Sequence, residues 1–157
     1  MLFSIKNLIL HQALMTLTPE AEIRQLITEQ MNAIHNKNVD GIMAHYVDDL
    51  VLYDAIPPFQ TLGANALRNA WEQCFPYFTD GFGYEIKEPV IKANDDLAFA
   101  YWLFRFTNMG EGHESAECWM RWTATYQKIS GKWNIIHEHI SVPFDPHTSQ
   151  AVFNLEA

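Results

Sequence analysis

Cysteine is scarce: Cys74 and Cys118 are the only two in 157 residues, and they form no C-x-x-C pair. That usage fits a reducing, cytoplasmic compartment and two buried thiols. Positive charge is also short, with 10 Lys and Arg against 19 Asp and Glu and a formal net charge of -9. Without a basic cluster there is no groove for nucleic acid. No apolar run is long enough to span a bilayer, so no membrane partner is expected. Ser-His-Asp order, phosphate loop and dinucleotide fingerprint are all missing, and nothing points to a cofactor. Nor is there an internal repeat, a linker or a second domain. What is present is a globular composition, 48% hydrophobic and 18% charged, with aromatics at 13%. Such a proportion of rings suits a large core or a ring-lined pocket.

Taken in order, residues 1–14 form an N-terminal extension expected to be helical, with Phe3, Ile5, Leu8 and Ile9 buried. As a secretory signal the stretch is poor, because His11 and Gln12 break its apolar run. Met15 is the alternative start, and residues 15–157 make one domain. Thr18-Pro19-Glu20 begins a helix, with Thr18 as cap and Glu20 and Glu22 at the positive end of the dipole. Ile23, Ile27, Gln30 and Ile34 share its apolar stripe, where Gln30 is either a satisfied core amide or part of a pocket wall. A second helix runs from Val39 to Tyr46. Leu50 to Ala55 is a strand with Leu50, Leu52 and Asp54 on one side. A third helix, Ala64 to Phe78, carries Leu67, Trp71, Phe75 and Phe78 on one stripe. Gly81 to Lys92 and Leu97 to Asn108 read as strands. In the latter, Phe99, Tyr101, Leu103 and Arg105 share one face, and Ala98, Ala100, Trp102, Phe104 and Phe106 the other. The tail after Pro143 is expected to pack outside or fray.

The most informative stretch is Glu114 to Val142, two β-branched and aromatic runs either side of Ser130-Gly131. It predicts a hairpin. With a three-residue loop, Lys128 pairs with Lys132, Ala124 with Ile136 and Trp122 with Glu138. Cys118, Met120, Trp122, Ala124, Tyr126, Ile136, Glu138 and Ile140 then face the core. Trp119, Arg121, Thr123, Trp133, Ile135, His137, His139 and Ser141 face outward. A two-residue loop would mix the faces. Helices followed by strands indicate an α+β class. A strongly curved antiparallel sheet wrapped around three N-terminal helices would form a cone with an interior space.

Glu138 is the one carboxylate on an apolar face, and such a position asks for a reason. Asp54, Arg105 and Glu138 are the polar groups expected in the cavity, among Trp71, Phe75, Tyr101 and Trp122, with Gln30 on its wall. Two acids and one Arg can move protons if burial raises one acid while the Arg holds the other ionised. The alternative is a buried Glu138–Arg105 ion pair without chemistry. His137 and His139 point the same way on a strand, but two ligands are not a metal site, and none is expected.

The segments KNVDGIMAHYVDDLVLYDAIPPF, GANALRNAW and SGKWNIIHEHIS together resemble the NTF2-like superfamily, nearest to SnoaL-like and ketosteroid-isomerase-like proteins. The last segment also resembles the end of the association domain of calcium/calmodulin-dependent protein kinase II. The likeness covers roughly Pro19 to Pro143. It implies a cone-shaped α+β barrel with a pocket, dimeric through the outer sheet face. It places Asp54 where the steroid isomerases carry their general base. Their oxyanion-hole Tyr falls at Gln30 and their protonated Asp near Thr123, so that donor pair does not carry over. The pocket Arg positions of the association domain fall at Leu103, Ala124 and Ile140. The resulting expectation is a homodimeric small-molecule-binding protein, an acid/base enzyme of isomerase, cyclase or dehydratase type on an apolar carbonyl-bearing substrate. The alternative is a binding or oligomerisation module without catalysis.

Overall fold

Thr18 opens the first helix as expected: its Oγ1 accepts a hydrogen bond from the Ala21 N–H, with Pro19 in the first turn. The computed structural model describes residues 17–113 and 117–157. The expected N-terminal helix and the choice between Met1 and Met15 lie outside the described residues. Helix α1 (Pro19–His35) buries Ile23, Leu26, Ile27, Gln30, Ala33 and Ile34. Helix α2 (Val39–Met43) is capped by the Asn38 side chain and stops short of its expected end. Tyr46 instead begins strand β1 (Tyr46–Tyr53), in which Leu50 and Leu52 point inward.

A short strand β2 (Thr61–Leu62) leads into helix α3 (Ala64–Cys74). The chain then tightens into a 3-10 turn over Phe75–Tyr77. Pro76 offers no N–H to continue the α-helix, so the helix cannot reach Phe78 as expected. The strand expected over Gly81 to Lys92 is divided into β3 (Gly83–Ile86) and β4 (Val90–Ala93). Pro89 stands at the break, where it cannot donate to a ladder. Strands β5 (Leu97–Thr107), β6 (Met120–Ile129) and β7 (Lys132–Ser141) follow.

These strands form a seven-stranded sheet in the order β2-β1-β7-β6-β5-β3, with β4 also paired to β5. The β1–β7 pair is parallel, so the sheet is mixed rather than wholly antiparallel. Helix α1 packs on β3, β4 and β5, and α3 on β1 and β2. The curved sheet wraps the helices as an α+β cone, its core filled by side chains such as Ile23, Ile34, Leu50, Tyr126 and Ile135. Full burial of each aliphatic one contributes about 1.5–3 kcal/mol. The tail forms a separate pair, β8 (Phe144–Asp145) with β9 (Gln150–Ala151).

The β6–β7 hairpin departs from the expected register. Its loop has two residues, Ser130 and Gly131, with φ of 51° and 80°. Both lie in the left-handed region that a tight primed turn requires. Ile129 therefore pairs with Lys132 and Lys128 with Trp133. A regular ladder from this turn would send Glu138 outward. Ile136 prevents that: the ladder steps from Tyr126↔Ile135 to Thr125↔His137, leaving Ile136 as a β-bulge. Trp133 and Ile135, expected outside, are consequently buried before the bulge, and Glu138 remains inside after it.

Candidate active site

Asp54 and Glu138 come from adjacent parallel strands. Leu52 of β1 lies beside Glu138 of β7, and Asp54 follows Leu52 by two residues at the strand end. Trp122 reaches the same surface from β6, where its neighbour Ala124 pairs with Glu138. Together with Trp71 of α3 they border a cavity of about 400 Å³. Tyr46, Phe104, Phe106, Met120 and Ile140 supply further wall, and both free cysteines lie on it. Ala151 and Phe153 close one side, so the tail contributes to the cavity instead of lying outside it. Among the described residues the lining holds no Lys, Arg or His.

Glu138 is 1% exposed. Its Oε2 accepts a hydrogen bond of 2.8 Å from the Tyr46 hydroxyl, which in turn accepts one of 2.7 Å from Gln30 Nε2. Its Oε1 has no partner among the described residues. Burial pushes the carboxyl up to about 7; the Tyr46, Gln30 and Trp122 donors pull it down, and the charge of Asp54 adds to the rise. The Trp122 indole is near enough to favour the anion, but its Nε1 falls short of hydrogen-bond geometry and is also unpartnered, as is Trp71 Nε1. Asp54 is half-buried, and burial raises its carboxyl too, against the Ala55 and Ile56 N–H groups. Its Oδ1 accepts the Ala55 N–H at 2.6 Å.

The residues expected at the site separate into three groups. Asp54, Trp71, Trp122 and Glu138 border the cavity. Gln30 and Phe75 stand one layer behind it: Gln30 holds Tyr46, and Phe75 stacks on Trp71 with centroids 5.1 Å apart. Arg105 and Tyr101 do not enter the cavity. They occupy the outer face of β5, because Ala98, Ala100, Trp102 and Phe104 take the inner one. There Arg105 donates to Glu85 at 2.8 Å and lies over the Trp119 ring. An Arg105–Glu138 ion pair is therefore absent. Tyr46 was the partner not anticipated; a phenol turned inward near a lone buried acid was the available signal. His137 and His139 face outward against Tyr53, with His137 Nδ1 2.7 Å from the Val51 carbonyl oxygen. No group of three or more metal-binding side chains occurs among the described residues.

The architecture defines an NTF2-like protein of the cystatin-like α+β type. A SnoaL-like domain matches residues 23–145, and the chain belongs to that family. It is similar to an NTF2-like protein of unknown function from Pseudomonas putida KT2440, with 41% identity, 88% of this chain and 96% of that chain covered, and a TM-score of 0.79. A protein of unknown function with a cystatin-like fold from Nostoc punctiforme shares 23% identity over 84% of this chain and 96% of its own, with a TM-score of 0.64. A ketosteroid isomerase-like protein from Erwinia carotovora atroseptica shares 22% over 78% and 94%, with a TM-score of 0.60. At those lower identities the likeness is one of fold alone. Comparison with functionally curated proteins gives no match. No described helix is long and apolar enough to cross a membrane.

Proposed function

We propose that this protein binds an uncharged, apolar, carbonyl-bearing small molecule inside the cone and catalyses proton transfer on it, in the manner of an isomerase, cyclase or dehydratase. The observation that carries this reading is Glu138, a residue bordering an apolar cavity whose buried Oε1 has no hydrogen-bond partner among the described residues. A carboxyl raised to about 7 is substantially protonated at neutral pH and can donate to a carbonyl oxygen. Asp54 is the base that takes a proton from the adjacent carbon. Trp71 and Trp122 grip the ligand, while Phe75 and Gln30 hold the wall. Arg105 acts from outside, fixing Trp119 and Glu85 rather than touching substrate. The lack of any cation on the lining among the described residues supports a neutral ligand over a carboxylate or phosphate. The same reading includes a cytoplasmic homodimer joined through the outer sheet face, where Tyr53, Phe99 and Tyr101 are exposed.

The test uses 1-indanone, a flat ketone within the cavity's size, and follows exchange of its α-protons for deuterium by NMR. Asp54→Asn slows enzyme-dependent exchange by about a hundredfold or more while circular dichroism stays native. Unchanged exchange would remove Asp54 as the base, and binding without any exchange would favour a non-catalytic binding module.

A further inference from the structure

The chain Gln30–Tyr46–Glu138 has a direction. The Tyr46 hydroxyl owns one hydrogen. Gln30 Nε2 donates to the phenol oxygen at 2.7 Å, so that hydrogen points to Glu138 Oε2, 2.8 Å away. A carboxyl oxygen receiving a donor is a poor place for a second proton. Oε1 is thereby the oxygen that carries the proton when Glu138 is neutral; it has no hydrogen-bond partner among the described residues, and Glu138 borders the cavity. The three residues come from α1, β1 and β7, so the fold itself maintains this polarity.

We infer that Gln30 and Tyr46 are positioning residues that confine the proton of Glu138 to Oε1, the oxygen left free of the Tyr46 hydroxyl, and that the site therefore takes up a proton with a neutral acceptor ligand and releases one with a cationic amine of the same shape. This deepens the function proposed above and rests on it for the ligand part only. The titratable groups whose charge is felt at Glu138 are Tyr46 from β1, Asp54 just beyond its end, Tyr84 from β3 and Tyr126 from β6. Burial raises all three phenols far above the physiological range, which leaves Asp54, whose carboxyl burial also raises, as the other acid among these groups.

Two measurements decide it. The first needs no ligand: carboxyl-labelled glutamate is titrated by NMR in the wild type, Tyr46→Phe and Gln30→Met. Tyr46→Phe removes the donor that favours the anion and raises the Glu138 midpoint by about one pH unit. Gln30→Met frees the phenol to turn and accept the proton, and raises it by a smaller amount. An unmoved midpoint in both variants overturns the inference. The second is calorimetry at pH 7.5 in buffers of different ionisation enthalpy, with 1-indanone and 1-aminoindane as probes. Wild type takes up about three quarters of a proton with the ketone and releases about a quarter of one with the amine. Gln30→Met weakens the ketone by about tenfold and leaves the amine unchanged; equal weakening of both marks a merely structural role and overturns the positioning claim. If the midpoints move while 1-indanone fails to bind any form, the proton chain stands and the proposed function falls.

Discussion

Glu22 and Glu138 both meet the β6–β7 hairpin, one near its turn and one toward its far end, and the two ends treat the same side chain in opposite ways. Glu22 Oε2 accepts from Lys128 Nζ at 2.7 Å and from Trp133 Nε1 at 2.6 Å. Those hydrogen bonds hold its carboxyl below the usual value. Among the described residues Glu138 has one side-chain hydrogen bond, from a phenol, and no cation; it meets almost no solvent, and burial lifts it to about 7. The first arrangement ties α1 to the hairpin and satisfies its charge. The second leaves a carboxyl poised between two protonation states beside an apolar space. The difference teaches where to look for chemistry in this cone: not where acids are, but where their counter-charges are missing.

The comparison can be broken most forcefully at Glu138. Its folded-state value lies above the unfolded one, so the folded protein binds the extra proton between pH 4.5 and about 7, and stability falls as pH rises through that window. Glu138→Gln removes the titration. Between pH 4.5 and 8 the stability of the variant relative to wild type should improve by roughly 3 kcal/mol, read from urea unfolding at a series of pH values. A parallel pH profile in the two proteins would show that Glu138 ionises as freely as a surface acid.

Glu22→Gln should behave with the opposite sign and smaller size. A depressed carboxyl stabilises the fold above its unfolded value, and this is lost as pH falls through the folded one. The variant is therefore weaker at pH 7 by about 1 kcal/mol or less, given that the ion pair is partly solvated, and equal to wild type in acid. A cost that persists at pH 3 would mean lost packing rather than lost charge. Smallest of all is a change at the turn: Ser130→Asn, better suited to φ of 51°, should add a few tenths of a kcal/mol (about 0.3) of stability, read as a slight rise of the thermal midpoint. Loss of stability there would contradict the two-residue turn.

Much of this was legible beforehand. Gln30 and Glu138 stood out because each interrupts an otherwise apolar stripe, and the structure joins both to Tyr46. Asp54, Trp71 and Trp122 were placed by strand and helix periodicity and do border the cavity. Arg105 and Tyr101 were turned the wrong way because β5 is apolar on both faces. Its inner half begins with Ala98 and Ala100, fully buried where α1 packs on the strand, and its outer half shows Phe99 and Tyr101, each more than 40% exposed. Side-chain size followed the room left under a helix, which alternation alone does not encode. The hairpin pairing was misjudged for a different reason: turn length and bulge compensate each other, and only their combination fixes which residues look inward.

That compensation has a consequence for redesign. Up to Ile135 the odd-numbered positions of β7 belong to the interior; from Glu138 onward the even-numbered ones do. The inserted residue thus works as a phase correction in the chain's parity. Excising Ile136 together with its kink would leave Ala124 opposite the acid in an unbroken ladder, whereas one residue added or removed between Ile136 and Glu138 would rotate that acid into solvent and bring an imidazole into the hollow.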